Sequence, residues 1–198
     1  MRGWKKSERA SGRSLYSCLL VVCLLLQSRP GLADTHGINI RDVIGTMVEN
    51  TYMINATIDY QLSAEAEKAL IHGVPLQFDT TISVKKHRRW LWDKSISSVI
   101  LKYRLQYHPL SGYYLVTNMQ NGEHQQFQSL ADIMAYLGKL KNYPLITRTA
   151  FGAGAGEYYG QISVKLDIKS LPAPLRPLAY MSAQWRLASP TYAWSIHL

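Results

Sequence analysis

Several stretches of this chain alternate apolar and polar residues with a period of two, and that period most constrains the fold. Tyr52, Ile54, Ala56, Ile58, Tyr60 and Leu62 interleave with Met53, Asn55, Thr57, Asp59 and Gln61. Successive strand side chains leave opposite faces, so this run predicts a strand with one buried face. Leu76, Phe78, Thr80, Ile82 and Val84 predict a second. Val99, Leu101, Tyr103, Leu105 and Tyr107, opposite Lys102, Arg104 and Gln106, predict a third. Ile162, Val164, Leu166 and Ile168, opposite Gln161, Ser163, Lys165 and Asp167, predict a fourth over 158–168. Sheets wet on one face are antiparallel as a rule, because crossover helices would cover both faces of a parallel sheet.

The connections agree. His108-Pro-Leu-Ser-Gly112 reads as a hairpin turn returning through Tyr113–Met119, and Asn121-Gly122 as a tight turn before His124–Phe127. Ile38, Ile40 and, after a slip, Val43-Ile44 suggest a first strand. A final strand is expected over Ala183–Ile196, interrupted at Ser189-Pro190. Two short helices are expected. Ser63 caps one over Ala64–Ile71, with Glu65 and Glu67 in its first turn, before Gly73-Val-Pro75. Ser129 caps the other, where Leu130, Ile133, Met134, Leu137 and Leu140 recur at helical spacing. Leu171-Pro-Ala-Pro-Leu-Arg-Pro177 excludes regular helix and central strand. The expected class is α+β and β-rich: mostly antiparallel sheets around one core, with two short helices.

The first 33 residues do not share this pattern. Arg2, Lys5, Lys6, Arg9 and Arg13 precede an apolar core, Leu15–Leu26, and Gly31-Leu-Ala33 places small residues before Asp34. That order predicts an export signal cut between Ala33 and Asp34. About 12 apolar residues fall short of the roughly 20 that a bilayer-spanning helix needs, so an uncleaved inner-membrane anchor is the alternative. The remaining 34–198 reads as one exported, periplasmic domain.

Both cysteines, Cys18 and Cys23, lie within the signal. The 165 residues after it therefore have no disulfide scaffold, thiol nucleophile or cysteine-ligated metal. Without the signal the charge falls from +9 to +4, with 16 basic and 12 acidic residues, so the case for a nucleic-acid partner weakens.

Motifs for catalysis are missing. The six histidines show no metal-ligand spacing within one element. There is no Gly-x-Ser-x-Gly elbow. Gly152-Ala-Gly-Ala-Gly156 leads into a strand, whereas a phosphate loop opens a helix. No catalytic residue, cofactor or metal is expected. One cluster has binding character: Lys85, Lys86, Arg88 and Arg89, followed by Trp90 and Trp92. It is the candidate site for an anionic surface, either lipid or an acidic patch on a membrane protein. The competing reading is a charged hairpin end with Trp90 or Trp92 folded back onto the core.

Certain segments together carry a likeness. They are Gly73-Val-Pro-Leu76, Trp90-Leu-Trp-Asp93, Tyr103-Arg-Leu-Gln-Tyr107 and Phe127-Gln-Ser-Leu130. Leu166-Asp-Ile-Lys-Ser-Leu-Pro-Ala-Pro-Leu175 and Trp185-Arg-Leu-Ala-Ser189 complete the set. In this order the chain resembles the DUF4390 family of short exported bacterial proteins. The resemblance implies a Gram-negative bacterial source and brings no activity, ligand or catalytic residue. The leading expectation is a non-catalytic binding or accessory module at the periplasmic membrane surface. The alternatives are a hydrolase-like enzyme with a dispersed site and, less favoured, a small outer-membrane barrel.

Overall fold

The computed structural model describes residues 37–151 and 156–197. The expected signal, its cleavage point and most of the Gly/Ala loop lie outside them. Among the described residues nine strands form two antiparallel sheets. The smaller contains β1 (Gly37–Val48), β2 (Thr51–Gln61) and β7 (Lys139–Thr147), ordered β1-β2-β7. The larger is ordered β6-β5-β4-β3-β8-β9. Its members are β3 (Leu76–Lys86), β4 (Lys94–His108), β5 (Tyr113–Asn118), β6 (His124–Phe127), β8 (Tyr158–Leu166) and β9 (Tyr192–Ile196). Among the described residues neither sheet closes on itself.

The alternating rows meet in one core. Tyr52, Ile54, Ala56, Ile58 and Tyr60 of β2 are all buried, as are Leu76, Phe78, Thr80, Ile82 and Val84 of β3. Tyr60 stands edge-on to Phe78, with ring centroids 5.4 Å apart, and so joins the two sheets. Trp194 of β9 donates its indole N–H to the Tyr52 hydroxyl at 3.2 Å, a second join. Each large apolar side chain buried here contributes about 1.5–3 kcal/mol. The slip expected in β1 is a bulge between Ile40 and Asp42, which keeps Ile38, Ile40 and Val43 all buried.

Helix α1 (Ala64–Ile71) starts where Ser63 accepts the Ala66 N–H at 3.2 Å, and it buries Ala66 and Leu70. Helix α2 (Leu130–Leu137) starts where Ser129 accepts the Asp132 N–H at 3.1 Å. It stops short of the expected Leu140. Gly138 presses against β2, its carbonyl accepting the Ile58 N–H at 2.8 Å. From there the chain runs as β7, a strand the helical spacing concealed, and pairs with β2 from Lys139 to Thr147. The open edge of β2 outweighs one more helical turn. Pro144 is accommodated because β7 is an edge strand and its register shifts beside Pro144.

Among the described residues the expectation of two helices is corrected to three. Helix α3 (Arg176–Met181) forms in the proline-rich segment because Pro177 sits in the first turn, where no N–H donor is needed. The expected strand over 158–168 ends at Leu166, and Ile168 begins a 3-10 turn. The strand expected over Ala183–Ile196 is regular only from Tyr192. Before it, a 3-10 turn buries Trp185. Ser189 then exchanges two hydrogen bonds with Val164, its N–H donating to the carbonyl at 2.8 Å and its hydroxyl accepting at 2.9 Å. The hydroxyl stands in for a ladder carbonyl just before Pro190.

Candidate functional site

The basic and aromatic residues form the far end of the β3–β4 hairpin. β3 runs to Lys86, paired with Lys94 of β4 on one side and Tyr158 of β8 on the other. The His87 N–H donates to the Glu157 carbonyl at 2.9 Å, and the chain then leaves the sheet. The chain bends over Arg89–Leu91, beyond that last hydrogen bond to the β8 side.

Asp93 closes the loop. Its carboxylate accepts the Tyr159 hydroxyl at 2.5 Å and the Arg88 N–H at 3.2 Å, and lies 3.2 Å from the His87 ring. The Tyr159 hydroxyl, then the Arg88 N–H, hold the Asp93 carboxyl below the usual carboxylate range. The same bond pushes the Tyr159 phenol up. Residues 66 positions apart thus tie the loop to β8. Sequence reasoning missed this pair, because nothing in either neighbourhood marks it.

Trp90 and Trp92 are each 92 % exposed and Leu91 is 67 % exposed. The reading in which an indole folds back onto the core is therefore corrected. Asp93 ties the loop to the Arg88 N–H and to Tyr159, and the loop's centre stands clear of the core. Arg88 and Arg89 are exposed beside the indoles, while Lys85 and Lys86 are half-buried in the strand. As neighbours in a strand, Lys85 and Lys86 leave opposite faces. The Lys86 ammonium lies 5.2 Å from the centre of the Tyr158 ring, a cation–π contact that ties it to β8. Lys94 adds a further cation at the foot of β4. Among the described residues, none of these five cations has a carboxylate oxygen within 4.0 Å.

A wide cleft of about 730 Å³ opens beside the hairpin end, bordered by His87, Glu157, Tyr159, Ser195 and His197. The Asp93–His87 contact and Ser195 are residue types found in a hydrolytic triad. Among the described residues no hydrogen bond joins His87 to Ser195. No group of three metal-ligating side chains occurs among the described residues, nor any helix long and apolar enough to cross a membrane.

Comparison with known proteins adds one finding. The sequence-family model for a domain of unknown function, DUF4390, matches residues 35–195, nearly all of the chain beyond the expected signal. No curated protein and no solved structure matches.

Proposed function

This chain belongs to the DUF4390 family, and we propose that it is a non-catalytic envelope module whose β3–β4 hairpin end docks on an anionic membrane surface. The observation that carries this reading is the exposure of Trp90, Leu91 and Trp92 together at one tip. Folded chains seldom leave three such side chains in water without a use for them. Indoles suit the headgroup boundary, where an apolar ring and a polar N–H are both satisfied. The flanking Lys85, Lys86, Arg88, Arg89 and Lys94 supply charge of the matching sign.

Each cation near an anionic leaflet contributes about 1 kcal/mol. Arg88 and Arg89, with the cross-strand pair Lys86 and Lys94 on one face of the hairpin, give about 4 kcal/mol, an affinity near millimolar. Insertion of Leu91 adds about 1.5–3 kcal/mol when fully buried. The result is reversible, salt-sensitive association, strong enough to matter where other contacts hold the protein nearby. The reading places the protein in the periplasm after cleavage between Ala33 and Asp34. An intact Met1 on N-terminal sequencing of the cell-fractionated protein would instead mean an uncleaved anchor.

Sedimentation with phosphatidylglycerol-containing vesicles at low salt tests the docking. The unmodified protein is expected to bind and to be released at high salt, where screening shortens the reach of each charge. Replacing Lys85, Lys86, Arg88 and Arg89 by Gln is expected to abolish binding with the fold intact. Trp90→Ser with Trp92→Ser should weaken it while preserving the salt dependence. If the unmodified protein does not bind such vesicles, the lipid reading fails and an acidic patch on a membrane protein is the remaining ligand for the tip.

A further inference from the structure

Far along β3 and β4 from the hairpin end, a second cavity lies between the two sheets beneath α2. Its volume is about 450 Å³, within the range of small-molecule pockets. Its floor is apolar and buried: Ile58 of β2, Leu101 of β4 and Leu137 of α2. Its wall carries three phenols, Tyr103, Tyr136 and Tyr143. Burial, then the nearness of Tyr136, Tyr143 and Glu123, raises the Tyr103 phenol above its ordinary value, so that phenol keeps its O–H. Lys139 and Lys141 are exposed at the rim. Neither has a carboxylate oxygen within 4.0 Å among the described residues.

The shape of β7 here is unusual. Its register against β2 shifts between Ile54 and Ala56, opposite Tyr143 and Leu140. Asn142 stands in the left-handed region at φ 45°, held by its N–H donating to the Asn55 side-chain oxygen at 2.9 Å. Bulges re-aim side chains and are frequent beside binding sites. This one breaks the alternation of the strand, so that Lys139, Leu140, Lys141 and Tyr143 all border the same cavity.

We infer that this cavity binds a single-chain anionic amphiphile, with its alkyl chain over Ile58, Leu101 and Leu137 and its head between the phenols and the Lys139–Lys141 rim. An apolar floor rewards a chain without hydrogen-bonding groups. Phenol donors and two cations at the mouth favour an anionic head over a neutral one. A cavity of about 450 Å³ lies toward the small end of the range for small-molecule sites. Dodecanoate, a twelve-carbon carboxylate, fits that size. The inference shares no residue with the hairpin end and stands whether or not the tip docks on lipid.

The test is titration calorimetry of the whole protein with dodecanoate below its micelle concentration, alongside dodecanol as the uncharged control. Saturable one-to-one binding of dodecanoate, at least fivefold tighter than dodecanol, is expected. Lys139→Gln with Lys141→Gln should remove that preference without changing dodecanol binding. Leu140→Trp, which fills the cavity from its half-buried wall, should abolish both. Amide shifts on adding dodecanoate to the unmodified protein give a readout free of folding effects, and they should centre on 101–103 and 136–143. Absence of saturable binding, equal affinity for dodecanol, or shifts centred on 87–93 would each overturn the inference.

Discussion

Replacing Gly138 by alanine places a methyl carbon 2.4 Å from the Ile58 carbonyl oxygen and 3.0 Å from that of Met134. Carbon–oxygen contacts between neighbouring segments settle near 3.3–3.6 Å, so the end of α2 and strand β2 must part by about 1 Å. Neither yields cheaply. Ile58 is buried in the middle strand of the smaller sheet, and Leu137 is buried beside Gly138. Overpacking of this kind costs about 1–3 kcal/mol. Stretching the bond from the Ile58 N–H to the Gly138 carbonyl, 2.8 Å long, costs about 1 kcal/mol more. The stiffer unfolded chain returns about 0.4–1 kcal/mol. A net loss of about 1–4 kcal/mol is expected, a large share of the roughly 5–15 kcal/mol that holds a domain folded. Urea unfolding followed by far-ultraviolet circular dichroism measures it, as a lower midpoint at unchanged slope. Gly122→Ala is the control. Gly122 has φ 75° in a turn, with nothing within 4 Å of an added Cβ, so its cost is local strain of about 1–2 kcal/mol. Gly138→Ala variants as stable as the parent would refute the claim that close approach to β2, rather than weak helical propensity, ends α2.

Two further outcomes follow from titrating groups. Burial, only partly offset by the neighbouring Thr80 side chain, leaves the Tyr60 phenol pushed up to about 12. A raised phenol keeps its proton in the folded state after the unfolded chain has lost it. Stability is therefore complete below the ordinary tyrosine range and falls as pH rises toward 12, by on the order of 2–3 kcal/mol. Tyr60→Phe should flatten that fall in alkaline urea melts, and an unchanged slope would count against it. Asp93 is depressed instead, so its hold on the hairpin end is complete above the ordinary carboxylate range and is lost as pH falls through its folded value. Asp93→Ala should abolish exchange protection of the Arg88 amide at neutral pH while β3–β4 pairing persists. Retained protection would mean that the loop holds its shape without the Tyr159 and Arg88 bonds.

Much of the fold is legible in the chain because its signals are local. The alternation from Tyr52 to Tyr60 and from Leu76 to Val84 states which face is buried before any partner is known. Ser63 and Ser129 mark helix starts through bonds spanning three residues. The basic-aromatic run from Lys85 to Trp92 is visible as composition. What it does in space is not: Trp90 and Trp92 point outward because Asp93 meets Tyr159, a contact settled only once β3 lies between β4 and β8.

β7 shows the same divide. Leu137 and Leu140 lie at helical spacing, and Pro144 argues against a strand, so local preference misleads there. A strand forms because β2 offers an unpaired edge and Gly138 can approach it closely. The cavity beneath α2 exists only in that arrangement, since its lining comes from separate strands of both sheets and a helix. By itself the sequence determined the periods, caps and turns, each an interaction within a few residues. Only the tertiary structure decided strand partners, the end of α2 and the outward tip, because those depend on backbone groups finding partners far along the chain.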